Sequence, residues 1–235
     1  MQQSIVLHPS HERGHVKMDW LESHHSFSFA SFYDPRKMGF GALRVINDDI
    51  IEAHQGFGTH PHQDMEIITI PLQGSVLHQD SLGTKGTVSV GEVQLMAAGT
   101  GIRHSEHNPE AIDLKLFQIW IMPNKNGLKP NYQQMSYTVS AGKVTWLVSP
   151  SETYQGDKTL VINQDAYIGI VEFDGSELEI DSPSEDLGTY LLVVDGQIDV
   201  NGTKLDARDA IGHWDKTTRF KGSKGSKVII FHVPR

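Results

Sequence analysis

The sequence contains no cysteine in its 235 residues. Disulfide bonds, cysteine-ligated zinc, iron–sulfur clusters and thiol nucleophiles are therefore excluded. Long apolar runs are also missing, and none approaches the roughly 20 residues that a membrane-spanning helix needs. The N-terminal stretch MQQSIVLHPSHERGHVK lacks the apolar core of a signal peptide. From these absences we expect a cytoplasmic protein that does not associate with a membrane.

Basic residues are also scarce, with 20 Lys and Arg against 29 Asp and Glu, which gives a net charge of -9. The one Lys-rich stretch, FKGSKGSK at residues 220–227, has the glycines and serines of a turn. A surface of this charge repels phosphate backbones. We therefore expect no direct contact with nucleic acid, and the sequence does not identify a protein partner.

Amphipathic helical patterns are nearly absent, and short apolar stretches separated by turn residues take their place. Examples are MEIITIPLQG, TVSVGEVQLMAAGTG, LKLFQIWIM, KVTWLVSP and TYLLVVDGQIDVNG. Turn signals at a spacing of about 8–12 residues are typical of a β-barrel or sandwich. Within this pattern we interpret HSFSFASFY, residues 25–33, as a strand, and NDD, residues 47–49, as a tight turn.

The chain divides most naturally near its middle, at PNKNGLKPNY, residues 123–132. This stretch carries two prolines, one glycine and three asparagines. Such a composition is typical of a linker between domains. The sequence therefore predicts two β domains, residues 1–128 and residues 129–235.

The two halves resemble each other in THPHQDMEIITIPLQGSV, residues 59–76, and DSPSEDLGTYLLVVDGQI, residues 181–198. Three residues recur at equal spacing: Pro61 and Pro183, Asp64 and Asp186, Gly74 and Gly196. Ser182 and Ser184 stand where the first copy has histidines. We interpret this as a duplicated β domain whose second copy keeps the turns and lacks ligands.

Two pairs of metal-binding side chains stand at strand spacing. His60 and His62 are two residues apart, and so are His104 and Glu106. Residues i and i+2 of a strand point to the same face, so pairs on neighbouring strands can converge. The full set of candidate ligands is His60, His62, Asp64, Glu66, His104, Glu106 and His107.

Imidazole and carboxylate ligands without sulfur suit Fe(II), Mn(II), Ni(II), Cu(II) or Zn(II). The pattern does not choose between Glu66 and Glu106, because both have the right parity on a strand. An isolated H-x-H is often a pair of exposed histidines, and the second pair is what favours a metal site. His78 and Asp80 follow one hairpin later, and either support the ligands or are ordinary hairpin residues.

The histidine motif HPH with Glu66 and Gly74, followed by G-x-G-x-x-H-x-x-x-N at residues 99–108, resembles the two cupin motifs. More narrowly, RGH, FSFASFYDP, GFGTHPHQDMEI, LQGSV-x-HQDS and MAAGTGIRHSEHN resemble bacterial pirins, and the likeness is dense over residues 13–123. Two residues depart from the general cupin pattern. His54 stands at the usual first glycine of the first motif, and Gly99 at the usual proline of the second.

The resemblance implies a bicupin, an all-β fold of two tandem antiparallel barrels with very little helix. One divalent metal would lie in the N-terminal barrel, most naturally Fe(II), with Zn, Mn, Ni or Cu as alternatives. Its ligands carry over as His60, His62, His104 and Glu106. Glu66 would then support the site from outside or have no special role.

The resemblance also implies quercetin 2,3-dioxygenase activity, in which O2 opens a flavonol ring and carbon monoxide is released. In that reaction we expect Glu106 to accept the proton of the substrate hydroxyl. Two alternatives stay open. One is a non-catalytic, redox-sensing metalloprotein that modulates partner proteins, and the other is a different cupin chemistry such as isomerisation.

Overall fold

The chain is built of β-strands, as a computed structural model of the protein shows. The structure describes residues 5–235, and the one helical element in that range is a short 3-10 helix at Ser10–Glu12. The all-β prediction is confirmed. Within the described residues no helix is long and apolar enough to span a membrane.

The strands are β1 (Val6–His8), β2 (Gly14–Lys17), β3 (Leu21–His25), β4 (Leu43–Ile51), β5 (Gly56–Gln73), β6 (Ser75–Asp80), β7 (Lys85–Ser89), β8 (Glu92–His107), β9 (Leu114–Ile121), β10 (Asn131–Ser136), β11 (Val144–Ser149), β12 (Thr153–Tyr154), β13 (Asp157–Lys158), β14 (Leu160–Val161), β15 (Tyr167–Glu172), β16 (Glu177–Asp181), β17 (Leu187–Asp195), β18 (Ile198–Val200), β19 (Thr203–Leu205), β20 (Ala210–His213), β21 (Thr217–Gly222) and β22 (Lys227–Pro234).

The two large sheets share one strand order. In the N-terminal half the order β10-β8-β5-β9-β4-β3 lies within a nine-stranded sheet, and in the C-terminal half β1-β20-β17-β22-β15-β11 lies within a seven-stranded sheet. The hairpins that follow β5 and β17 turn at Gly74 and Gly196, whose φ angles are 73° and 75°. This is the arrangement that a duplication predicts. The hydrogen-bonded order closes on itself in neither large sheet, so these are open cupin sheets rather than closed barrels.

Two strands cross between the halves. β1, from the start of the chain, pairs with β20, and β10, which follows the linker, pairs with β8. Each therefore covers one side of a strand in the other half of the molecule. The division at residues 128 and 129 stays a prediction, because the pairing does not follow it.

The apolar residues separate into a shared core and a core of the C-terminal half. The shared core joins both large sheets, with Phe117 and Ile119 of β9 in the same cluster as Tyr190 and Phe231. A second cluster fills the C-terminal half: Val171, Phe173, Leu191, Val193, Ile198, Val200, Leu205, Ile211, Phe220, Val228 and Ile230. The N-terminal half has only two smaller clusters of its own, which leaves room inside its sheet.

Two local predictions were wrong. The strand expected at residues 25–33 ends at His25, and an irregular segment follows in which Phe29 and Phe32 make a single bridge. Within that segment Ala30 has a φ of 49°, which an extended strand does not allow. The turn expected at residues 47–49 lies inside β4, which pairs with β3 on one side and β9 on the other. Asn47 and Asp49 line a cavity, and Asp48 forms ion pairs with Arg13 and Arg208, which is why these polar residues can occupy a central strand.

Candidate metal centre

Antiparallel pairing of β5 and β8 brings the two histidine motifs together. His60 lies directly opposite His104 in the register of these strands. His60 and His62 alternate with the exposed Pro61 and Gln63, so both imidazoles turn to the inner face of the sheet. One ring nitrogen of each of the three histidines lies within 4.8 Å of those of the other two.

The hydrogen bonds of the imidazoles leave their inner nitrogens free. His60 Nδ1 lies 2.8 Å from the carbonyl oxygen of Gly58, which can only accept, so Nδ1 carries the proton. A neutral imidazole carries a single proton, so its Nε2 presents a lone pair. It faces Nε2 of His104 at 3.0 Å.

The same assignment follows for His104 from its own neighbours. Asp80 Oδ2 lies 2.9 Å from His78 Nε2 and accepts its proton. His78 Nδ1 is then an acceptor, and His104 Nδ1 lies 3.5 Å from it, at the long end of a hydrogen bond. His104 Nε2 is therefore unprotonated as well. Two lone pairs facing each other at 3.0 Å repel unless a cation lies against both, so these residues fit a metal.

Burial keeps the imidazoles of His62 and His104 in the neutral form that binds metals. It lowers the pKa of His62 to about 4, with a further contribution from the charge of His60. It lowers the pKa of His104 to about 2, and the three neighbouring histidines act in the same direction. A metal ion would therefore not have to displace protons from these two side chains at neutral pH.

Glu106 lies on β8, two residues beyond His104, and is 2% exposed. A carboxylate oxygen of Glu106 lies within 4.8 Å of ring nitrogens of His78 and His104. Gln118 donates its Nε2 hydrogen to Oε2 at 2.7 Å, and Trp120 donates its indole hydrogen to Gln118 at 3.1 Å. Burial raises the pKa of Glu106 to about 7, opposed by the hydrogen bond from Gln118 and reinforced by the charge of Asp49.

His78 and Asp80 lie behind His104, with both side chains completely buried. Besides His78, the backbone N–H groups of Leu82 and Thr84 donate to Asp80, at 2.9 and 3.0 Å. Burial alone would raise the pKa of Asp80, but these hydrogen bonds hold it below its ordinary value. A carboxylate fixed in this way orients His78, which in turn orients His104.

The other candidate ligands lie elsewhere. Glu66 is buried, but its carboxylate accepts a hydrogen bond from Asn163 Nδ2 at 3.0 Å, and so joins the two halves of the molecule. Asp64 accepts the backbone N–H of Gly127 at 2.7 Å, and His107 is exposed. None of these three belongs to the groups of mutually close ligand atoms among residues 5–235.

The two departures from the cupin pattern have conformational counterparts. His54 has a φ of 61°, in the left-handed region where glycine is the usual choice. Gly99 has a φ of 47°, which a proline ring does not allow. A Cβ atom at Gly99 would also collide with the carbonyl oxygen of Leu128.

A cavity of about 490 Å³ opens beside the histidines. It is lined by Val16, Met18, Leu21, Ser23, His25, Phe29, Ala30, Ser31, Asn47, Asp49, Phe57, His60, His62, Glu106, Gln118 and Trp120. Most of this wall is apolar, and its volume is in the range of small-molecule sites. The arrangement can hold a metal at one side and an organic ligand over it.

Sequence reasoning missed the wall that β3 and β4 contribute. Asn47 and Asp49 were taken for a turn, although their stretch contains no glycine or proline. The β-branched residues on both sides of the stretch, Val45 and Ile46 before it and Ile50 and Ile51 after it, were the signal that could have revealed a strand. Gln118 and Trp120 lie two residues apart on β9, and their hydrogen bonds towards Glu106 depend on the folded sheet.

Known proteins resemble this chain over nearly its whole length. The family model described as pirin matches residues 6–121, and the model of the quercetinase C-terminal cupin domain matches residues 146–233, which confirms the bicupin prediction. Quercetin 2,3-dioxygenase of Escherichia coli strain K12 is 45% identical over 98% of this chain and 99% of its own length. The pirin-like protein of Caulobacter vibrioides is 39% identical over 88% of this chain and 90% of its own length.

A solved structure agrees with the sequence comparison. The crystal structure of the bacterial pirin YhhW from Escherichia coli in complex with nickel(II) matches with a TM-score of 0.92 at 43% identity. The match covers 98% of this chain and 99% of that one. The chain therefore belongs to the pirin family.

Proposed function

We propose that this pirin is a metal-dependent dioxygenase that opens the ring of quercetin or a related flavonol with O2 and releases carbon monoxide. The observation that carries the proposal is the pair of facing imidazole lone pairs, beside a buried carboxyl group, at the wall of a largely apolar cavity. The name of the Escherichia coli relative, quercetin 2,3-dioxygenase, supports the reaction.

In this proposal His60, His62, His104 and Glu106 hold one divalent metal. The nickel(II) complex of the Escherichia coli pirin supports a divalent ion. We propose Fe(II), because imidazole and carboxylate ligands suit it and the reaction consumes O2. A bound metal supplies Lewis acidity towards a substrate hydroxyl and redox chemistry with O2.

The side chains of the chain itself orient the substrate and handle its proton. Glu106 accepts the proton of the flavonol hydroxyl at Oε1, whose hydrogen bond from Thr69 is long, at 3.5 Å, whereas Oε2 takes a bond of 2.7 Å from Gln118. In the metal-free site burial raises the pKa of this carboxyl group to about 7, which favours uptake of a proton whenever Glu106 is not a ligand. Phe29, Phe57 and Trp120 contribute apolar surface to the cavity, which excludes water and lets a flat aromatic substrate lie against them.

The test is turnover of quercetin by the iron-loaded protein under O2. We expect loss of the flavonol absorbance together with carbon monoxide in the headspace. Replacing both His60 and His62 by alanine should abolish bound metal and turnover. The matched control is His107→Ala, which removes an exposed histidine from the same sheet and should keep both.

Two results would contradict the proposal. Turnover that survives the double change would show that the histidine motif is not the reaction centre. Full metal content without any loss of quercetin would instead favour a non-catalytic metalloprotein, in which case Fe(II) and Fe(III) forms should differ in the partner proteins that they retain.

A further inference from the structure

A polar row crosses the inner face of the N-terminal sheet. In the strand register His25 pairs with Asn47, Asn47 with Gln118, Gln118 with Thr69, and Thr69 with Gln94. The row therefore spans five neighbouring strands, β3, β4, β9, β5 and β8. Polar side chains in such a line are costly to bury unless each finds a hydrogen-bond partner.

The row is incompletely satisfied. Among the described residues, four buried side-chain atoms lack a hydrogen-bond partner, and three of them belong to it: His25 Nδ1, Asn47 Oδ1 and Gln94 Oε1. His25 and Asn47 are each 3% exposed, and both line the cavity, whereas Gln94 does not. A buried polar group without a partner destabilises the folded protein. Two such groups side by side at a cavity wall are what a hydrogen-bonding ligand would satisfy.

The charges around the pair favour an uncharged ligand. Burial lowers the pKa of His25 to about 4, so its ring is neutral and offers one donor and one acceptor. No lysine or arginine lines the cavity to pair with an anionic group. A hydroxyl or carbonyl group therefore fits this end of the cavity better than an anionic group.

Aromatic rings connect this pair to the histidine cluster. His25 packs edge-on against Phe29 at 5.2 Å between ring centroids, and Phe29 packs against Trp120 at 5.4 Å. Trp120 in turn meets His62 at 4.9 Å. A flat ligand lying along this wall would touch both ends, because β9 alone separates β4 from the histidine-bearing β5.

We infer that His25 and Asn47 form a recognition site for a hydroxyl group on an outer ring of a planar, uncharged aromatic substrate, whose opposite end lies at the histidine cluster. This inference rests on the proposed function, which places the reacting hydroxyl of the substrate at the histidine cluster. It assigns His25 and Asn47 to substrate selection, with no part in holding the metal.

The test measures binding without turnover, on the metal-loaded protein in the absence of O2. The probes are quercetin and two flavonols of the same skeleton, each lacking the hydroxyl groups of one outer ring. Dissociation constants follow from quenching of tryptophan fluorescence, since Trp120 lies in the cavity wall. We expect removal of the hydroxyls from one ring to weaken binding to the wild type about tenfold.

His25→Phe and Asn47→Leu should each reduce that preference to about twofold or less, because the lost partner no longer distinguishes the ligands. Binding of the flavonol that lacks those hydroxyls, and the metal content, should stay the same. The matched control is His232→Phe in the C-terminal half, which removes another buried imidazole with an unpaired nitrogen and should keep the full preference.

The inference is overturned if both variants retain the preference of the wild type, as they would if the pair only holds ordered water. It is also overturned if the wild type shows no preference or binds no flavonol. A failure of the proposed function gives a different result. The protein would then bind flavonols in a hydroxyl-dependent way but would not consume O2 when O2 is supplied.

Discussion

Asp49 should make the stability of this protein depend on pH, and its replacement by asparagine should remove that dependence. The carboxyl group is 3% exposed on β4 and accepts a hydrogen bond from the hydroxyl of Ser23. Burial raises its pKa from 3.8 to about 7, the bond from Ser23 opposes this, and the charge of Asp48 adds to it.

The sign follows from which state binds the proton more tightly. Below the unfolded pKa of 3.8 both states are protonated, and Asp49 costs the folded state no ionisation energy. Between that value and about 7 the unfolded state ionises while the folded state keeps its proton, so stability falls as pH rises. Each pH unit in this window costs about 1.4 kcal/mol, so the loss between about pH 5 and pH 7 is on the order of 3 kcal/mol.

Urea unfolding of the metal-free protein, followed by tryptophan fluorescence at about pH 5 and pH 7, measures this difference. Asp49→Asn should gain stability relative to the wild type on going to the higher pH, by a few kcal/mol. Its amide still accepts the hydrogen bond from Ser23, so packing changes little. The matched control is Asp19→Asn, at an exposed aspartate, for which the difference from wild type should be the same at both pH values.

The reasoning is refuted if the free-energy difference between Asp49→Asn and the wild type is equal at the two pH values. The same result would mean that Asp49 is ionised in the folded state. A negative charge would then lie in the wall of the proposed substrate cavity.

Three further predictions concern the surroundings of the metal centre. Asp80→Asn should weaken metal binding about 10–100-fold, measured by competition with a chelator. The backbone N–H groups of Leu82 and Thr84 hold the one remaining oxygen, so the amide turns its NH2 group towards His78, where Asp80 had an acceptor. Glu66→Leu should leave the metal content unchanged. It should lower the free energy of unfolding by about 1–3 kcal/mol, because Asn163 in the C-terminal half loses its hydrogen-bond acceptor. Loss of metal from the folded variant would instead identify Glu66 as a ligand. Gly99→Ala should lower the free energy of unfolding, measured with urea, by more than about 1 kcal/mol. Gly58→Ala should lower it by less, because the space at its Cβ position is open. Equal losses would refute the role assigned to the φ of 47° at Gly99.

Much of the fold could be predicted from local patterns. Alternating apolar residues and turn signals led to the all-β class, and the repeat around Gly74 and Gly196 anticipated two halves with one strand order. The prediction was wrong at residues 26–33, where alternating phenylalanines suggested a strand, and at residues 47–49, where consecutive polar residues suggested a turn. In both cases the backbone follows tertiary contacts: one segment bends over the cavity, and the other is paired on both sides.

The candidate site divides in the same way. The spacing of His60 and His62, and of His104 and Glu106, is a local property, and strand geometry alone predicts that each pair faces one side. The choice between Glu66 and Glu106 was open on that basis. Their surroundings differ through tertiary contacts. Glu66 meets Asn163, 97 residues later, and Glu106 meets Gln118 on β9, a strand that β5 separates from β8 in the sheet.

By itself the sequence determined the β architecture, the two halves and the pairs of side chains able to bind a metal, because these depend on periodicity within single strands. Tertiary structure alone decided the state of the imidazole nitrogens, the orienting contacts of Asp80 and His78, and the cavity wall with its unpaired His25 and Asn47. These features arise where strands distant in the chain come into register, and the protonation of a buried group depends on all of its neighbours at once.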